Sequence, residues 1–239
     1  MSLLELSDVS KRFGGLMAVG HMSFSIEEGE ILGLIGPNGA GKTTIFNLIN
    51  GYFQPTSGQI RFKGERIDAL RPYQVCRRGL ARTFQVVKPL ARLTVLENVM
   101  VPAFSRTEHR GEAEHLAREA IQFTDMAPWA DAVAGSLPLG MRKRLELARA
   151  LATDPKLLLL DENFAGLNPS EVETTIEIVR KIHQSGVTIL IIEHNMRVIM
   201  SISHRLLCIN YGEKIAEGKP DAVANEPHVI EAYLGSAHA

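Results

Sequence analysis

Residues 31–35, Ile-Leu-Gly-Leu-Ile, run directly into Gly36-Pro37-Asn38-Gly39-Ala40-Gly41-Lys42-Thr43. No other stretch constrains the fold as strongly. A short, wholly apolar run suits a strand buried on both faces. The glycines call for a tight turn whose backbone closely approaches something else. Residues from about 42 to 50 then read as a helix. Strand, glycine-rich turn and helix in this order make an α/β unit whose backbone N–H groups and helix N-terminus form an anion site. The spacing fits G-x-x-x-x-G-K-T. Lys42 is expected to reach the β- and γ-phosphates of a nucleotide, the Thr43 hydroxyl to bind Mg²⁺, and Thr44 to extend the phosphate contact. The alternative is a glycine-rich turn without a ligand, a pattern that chance produces in under about one chain of this length in a hundred.

The remaining pattern extends this unit. Residues 157–160 and 187–192 are further short apolar runs flanked by helical segments, as expected of buried parallel strands with right-handed crossovers. Before the turn, strand-like pieces at 3–6 and 22–26, and after it one at 59–62, are bounded by Gly14-Gly15, Glu28-Gly29 and Ser57-Gly58. Between 86 and 150 helical periodicity takes over, with Ala113, Leu116, Ala117, Ala120 and Ile121 on one face. Val172, Ile176, Val179 and Ile182 form another such stripe. After 192 we expect a helix, a hairpin of 206–210 with 214–217 around Tyr211-Gly212-Glu213, a short helix at 227–234, and fraying of the last few residues. The predicted fold class is α/β: a core with an N-terminal antiparallel β-subdomain (1–85 and 151–239) and an inserted helical subdomain (86–150).

Composition excludes several functions. Lys and Arg number 26 against 27 Asp and Glu, a formal charge of −1, so no overall basic field draws in nucleic acid or an anionic membrane. The clusters Arg142-Lys143-Arg144 and Arg77-Arg78 are expected to be solvated helix faces or subunit contacts, with no nucleic-acid partner. Two cysteines without CxxC spacing exclude a disulfide framework or a structural zinc site, and suit a reducing compartment. The longest uncharged run, 43–60, is broken by Asn47, Asn50, Gly51, Pro55 and Gly58 and cannot span a bilayer. The acidic N-terminal stretch does not read as a signal peptide. A cytosolic chain follows, with any membrane role exerted through a partner. The eight histidines show no metal-ligand spacing, and no nucleophile elbow supports Ser/His/Asp catalysis.

Leu157-Leu158-Leu159-Leu160 ends in Asp161-Glu162. In open α/β sheets ligands lie beyond the carboxyl ends of strands. Asp161 is thus placed to hold Mg²⁺ through water, and Glu162 to act as general base on an attacking water.

With the phosphate turn and this carboxylate pair, nearly the whole chain resembles an ATP-binding-cassette (ABC) ATPase. Gln85, in Arg82-Thr83-Phe84-Gln85, matches the family's Q-loop glutamine, a metal and water ligand that couples the site to membrane subunits. Leu137-Pro138-Leu139-Gly140-Met141 and the helix after it match the signature segment, which in the family faces the nucleotide of the opposite subunit. Asn168, in Ala165-Gly166-Leu167-Asn168, occupies the D-loop. His194 matches the switch histidine at the γ-phosphate. Phe13 stands where the family stacks an aromatic on adenine, a core Phe being the alternative. Phe13-Gly14-Gly15-Leu16, residues 93–99, Ala165-Gly166-Leu167-Asn168-Pro169, residues 215–220 and Ala232-Tyr233-Leu234-Gly235 resemble the branch serving branched-chain amino-acid importers and their urea and amide relatives. The resemblance implies a P-loop ATPase that binds ATP and Mg²⁺ and forms a homodimer or a heterodimer with a second such ATPase. It also implies docking to membrane permease subunits at the cytoplasmic face of the cell membrane, fed by an external solute-binding protein. The alternatives are an exporter or non-transport ATPase of the same family, or a regulatory nucleotide-binding module with weak turnover.

Four positions depart from the family pattern. Pro138 and Met141 replace the signature serine and glutamine. Proline there has neither a hydroxyl nor an N–H to donate, so the site completed by this signature is expected to close more weakly or turn over more slowly. Asn168 replaces a common Asp. With Pro169 at the first helical position and Glu171 in the first turn, it also makes a good helix cap. Asn163 replaces a common proline, for which the sequence offers no reason. The helical lobe is also short for the branch.

Overall fold

The structure is a computed structural model and describes residues 2–235. In chain order its elements are β1 Ser2–Phe13, β2 Leu16–Glu27, β3 Ile31–Ile35, α1 Lys42–Ile49, β4 Ser57–Phe62, β5 Glu65–Arg66, α2 Pro72–Arg77, β6 Leu80–Arg82, α3 Val95–Ala103 and α4 Arg110–Phe123. There follow α5 Leu139–Leu151, β7 Leu157–Asp161, α6 Pro169–Gln184, β8 Thr188–Ile192, α7 Met196–Ile202, β9 Arg205–Asn210, β10 Glu213–Gly218, α8 Pro220–Ala224 and α9 Pro227–Gly235. Contacts divide the chain into two compact units. One draws on Met1–Val75 with Thr188–Ala239, the other on Cys76–Val187.

The first unit holds two sheets. In the antiparallel one, order β2-β1-β4-β5, alternate residues such as Leu4, Leu6, Phe24 and Ile26 point into the core, with Leu4 opposite both Ile26 and Phe62. β1 and β2 are twelve residues each, much longer than the pieces expected at 3–6 and 22–26. Their polar ends read as turns, yet ladder hydrogen bonds and register shifts carry the pairing through to Phe13↔Leu16.

The other sheet of this unit runs β10-β9-β3-β8. β3 is parallel to both neighbours, with Leu32 opposite Leu190 and Leu34 opposite Leu207. β3 and β8 are buried at every position, which is why their sequences are unbroken apolar runs. Within β3, a Cβ on Gly33 would stand 2.5 Å from Leu206 Cδ2 and 2.9 Å from Ile199 Cγ1, so close packing excludes a side chain there.

The second unit contains the parallel pair β6–β7, registered Leu80↔Leu157, and helices α3 to α6. Val95, Val99, Ala113, Ala117, Ile121, Met126, Leu145 and Ala148 form the core shared by α3, α4 and α5. Two capping boxes set helix starts: Thr94 with Glu97 on α3, and Asn168 with Glu171 on α6. α6 buries Ile176, Val179 and Ile182, as its stripe predicts, while Val172 is only half-buried. β6, at three residues, and α2 and α8, at six and five, are too short to carry a periodic signal and were not legible in the sequence. Among the described residues no helix is long and apolar enough to cross a membrane. The expected frayed end, 236–239, lies outside the described residues.

Candidate functional site

In the first unit the glycine-rich turn follows from its three glycines. Gly36, Gly39 and Gly41 have φ of 150°, 79° and 104°, values that disfavour L side chains. At Gly36 space is also absent: a Cβ would lie 2.1 Å from Ile209 O, and one on Gly41 would lie 2.6 Å from Ala18 O. Gly41 is the N-cap of α1 and makes no side-chain cap, and the first turn of α1 holds no acidic residue. Its backbone donors and the helix dipole thus suit an anion. Thr43 is exposed in that turn and Thr44 half-buried behind it.

Lys42 is buried, and its ammonium turns back onto the loop, donating to Gly36 O at 2.6 Å and Pro37 O at 2.9 Å. Gly36 N–H donates at 2.8 Å to the hydroxyl of Tyr233 on α9. Burial pushes the Tyr233 phenol up to about 12, so it stays neutral and keeps its hydrogen-bonding proton. A cleft of about 710 Å³ opens between Pro37, Asn38, Gly39 and Ala40 on one side and Tyr211, His228 and Glu231 on the other.

Phe13 ends β1 with 40% of its surface exposed, so it is not a core residue. Its ring meets Phe53 edge-on at 5.1 Å, and the Lys11 ammonium lies 5.0 Å from its centroid. No sequence pattern points to Phe53. His194 is exposed in the bend between β8 and α7, where Asn195 caps α7 through Val198 N–H.

In the second unit, the strand β7 delivers Asp161 and the turn after it Glu162. Arg82 Nη2 donates to Asp161 Oδ2 at 2.7 Å, both side chains buried, so the carboxylate is held by a charge that the sequence did not single out. Glu162 has φ of 50°, in the left-handed region that a non-glycine residue enters only when held there. Gln85 Nε2 donates to Glu162 Oε2 at 2.6 Å, so the structure brings these two predicted site residues together. Asn163, unexplained in the sequence, is buried and accepts a short hydrogen bond from Thr83 Oγ1, which itself accepts the Asp161 N–H at 3.2 Å. Proline could not accept that bond.

Leu137 is buried, Pro138 and Leu139 are exposed, Gly140 is buried and Met141 is half-buried. Pro138 is the N-cap of α5 with no side-chain cap bond, and its carbonyl accepts Arg142 N–H at 3.0 Å. A Cβ on Gly140 would lie 2.4 Å from Glu171 Oε1, and one on Gly166 2.9 Å from Leu139 Cδ2. The segments 137–141 and 165–168 are therefore packed together, with Asn168 accepting Glu171 N–H as cap.

The basic run 142–144 departs from expectation. Lys143 is 3% exposed rather than solvated. Its ammonium donates to Glu162 O at 2.9 Å and Gln85 O at 3.4 Å. Arg142 turns back to donate to Leu137 O and Gly135 O at 2.7 and 3.0 Å. Both side chains turn inward because main-chain carbonyls of neighbouring loops accept their hydrogen bonds. One turn on, Glu146 is buried and its carboxyl is pushed up to about 7 by that burial, against the opposing pull of Arg149, Lys143 and the Phe84 main chain. Neither Lys143 nor Glu146 could be distinguished from surface charge by spacing alone.

Among the described residues no group of three or more His, Cys, Asp or Glu could hold a metal ion.

A family model described as ABC transporter matches residues 19–165, and one described as branched-chain amino acid ATP-binding cassette transporter matches 213–239. The chain is 40% identical to the high-affinity branched-chain amino acid transport ATP-binding protein BraF of Pseudomonas aeruginosa, covering 98% of each chain. It is 35% identical, again over 98% of each, to the lipopolysaccharide export system ATP-binding protein LptB of Escherichia coli. Its fold superposes with a TM-score of 0.90 and 30% identity on the ADP conformation of an ATP-binding cassette of an ABC transporter, covering 98% of this chain and 99% of the other. The phosphate loop on α1, the carboxylates after β7 and these matches lead to one conclusion: this chain belongs to the ABC transporter family, as an ATP-binding and ATP-hydrolysing subunit.

Proposed function

We propose that the chain powers import of branched-chain amino acids, or of a related small amide or urea solute, as one of two ATPase subunits docked on membrane permease subunits at the cytoplasmic face. The partner ATPase is a second copy or a sibling chain, and an external binding protein delivers the solute. The naming of the 40% relative and the match at 213–239 support the solute class.

The observation that carries the ATPase chemistry is the Gln85–Glu162 hydrogen bond. Glu162 is the general base that polarises the attacking water, and Gln85 orients it. The backbone of 36–41 and Lys42 bind the phosphates; on binding, the ammonium exchanges the Gly36 and Pro37 carbonyls for phosphate oxygens. His194 supports the γ-phosphate, and Phe13 offers its exposed ring to the base. The segment 137–141 and Asn168 serve the nucleotide of the opposite subunit, with the Gly140 N–H and the α5 dipole in place of the missing serine. Thr43, Asp161 and Gln85 would each supply an oxygen ligand to Mg²⁺, a hard cation for which a donor set with a single carboxylate is suited. When bound, the ion neutralises charge developing on the phosphates.

Reconstitution with the permease subunits tests this reading. Labelled leucine or isoleucine is expected to enter vesicles only with ATP and binding protein, and Glu162→Gln should reduce hydrolysis by a hundredfold or more. ATP-driven movement of neither amino acid, nor of urea or an aliphatic amide, would remove the solute assignment. Full hydrolysis in Glu162→Gln would remove the base assignment.

A further inference from the structure

The buried ammonium of Lys143 has no assigned task, although it stands on the second turn of α5, just beyond the segment 137–141. Burying a cation is costly unless donors are matched by acceptors. Here the acceptors include two main-chain carbonyls, Glu162 O at 2.9 Å and Gln85 O at 3.4 Å. The side chains of the same two residues are joined by Gln85 Nε2 and Glu162 Oε2 at 2.6 Å. A closed ring results, with the ammonium on its backbone side and the amide–carboxylate bond on its reactive side.

The ring also answers how Glu162 keeps its backbone. A non-glycine residue at φ of 50° is disfavoured because its Cβ crowds the following carbonyl oxygen. The same carbonyl also accepts the Ala165 N–H, at a long 3.3 Å. If Glu162 relaxed to an ordinary backbone conformation, its carboxylate would swing away from Gln85.

We infer that Lys143 is a positioning residue for hydrolysis: by donating to the carbonyls of Glu162 and Gln85, it fixes the base and the glutamine relative to each other and links both to the signature helix. This rests on Glu162 being the base. Lys143 reaches no reacting atom; it acts through the two residues it holds. Because misplacement by an ångström or so costs up to about a hundredfold in rate, its removal should affect turnover rather than nucleotide capture, since the phosphate loop is made of other residues.

The test is steady-state hydrolysis of MgATP by the full chain carrying Lys143→Met, which keeps an apolar stem but no donors, beside Lys143→Arg and Glu162→Gln. Lys143→Met is expected to lower kcat at least tenfold with KM for ATP within twofold of the parent, and Lys143→Arg to recover at least a third of parental kcat. A kcat within twofold of the parent for Lys143→Met overturns the inference, as does a loss in which KM rises as much as kcat falls or which arginine does not relieve. Should Lys143→Met not fold, Lys143→Gln takes its place under the same criteria, and failure of both to fold assigns the residue to stability and overturns the inference. Glu162→Gln separates the two readings. If it still turns over, the base assignment is what fails; if it is inactive while Lys143→Met is not, only the positioning role fails.

Discussion

The hydroxyl of Tyr233 accepts the N–H of Gly36 at 2.8 Å, joining the last helix of the described chain to the first residue of the phosphate loop across 197 positions of sequence. Gly36 cannot be braced by a side chain of its own, because a Cβ there would collide with Ile209 O. The loop is thus anchored from outside, by a phenol that burial keeps neutral.

Tyr233→Phe keeps the ring and removes the acceptor. Loss of one partner from a partly buried N–H should cost about 1 kcal/mol, seen as a lower urea midpoint with an unchanged slope. An unshifted midpoint would mean that water replaces the hydroxyl without cost.

The glycines of the loop differ in what they tolerate. Gly36→Ala meets both a clash at 2.1 Å and a φ of 150°, and should destabilise by roughly 3 kcal/mol or more. Gly39→Ala meets only a φ of 79°, with nothing within 4 Å of the new Cβ, and should cost about 1–2 kcal/mol. Equal losses in a denaturation series would refute this distinction.

Glu146 makes stability depend on pH. Its carboxyl is raised from 4.5 to about 7 in the folded chain, chiefly by burial. A raised folded pKa means that the native state binds the proton more tightly, so the contribution is full below about pH 4.5 and is lost as pH rises through 7. The difference amounts to about 3 kcal/mol. Glu146→Gln should flatten the stability curve between pH 4.5 and 7 and leave the variant more stable than the parent at pH 8. An unaltered pH profile in chemical denaturation would contradict the assignment.

Pro138 begins α5 without a side-chain cap. Pro138→Ser supplies one and should stabilise the helix by about 1 kcal/mol. It should also raise ATPase activity in the assembled transporter by restoring a hydroxyl to the signature. Unchanged or lower turnover would count against the weakened-closure reading of this proline.

Asn168→Ala removes one half of the capping box on α6 and should cost about 1 kcal/mol. Thermal unfolding monitored by circular dichroism checks this, with Asn168→Asp expected to retain the loss-free behaviour of a carboxylate cap.

What the sequence determined by itself is what short-range chemistry dictates. Unbroken apolar runs at β3, β7 and β8 announce strands buried on both faces, and positive φ confines three loop positions to glycine. Asn168, Pro169 and Glu171 announce a helix start because a cap acts only within one turn. Tertiary structure alone decided the partners of charges and polar groups. Lys143 reads like any surface charge until the carbonyls of residues 58 and 19 positions away are brought to its ammonium. Arg82 on Asp161, Thr83 on Asn163 and Tyr233 on Gly36 are equally long-range. A buried polar group takes whichever complementary group the fold delivers, and spacing along the chain holds no record of that choice.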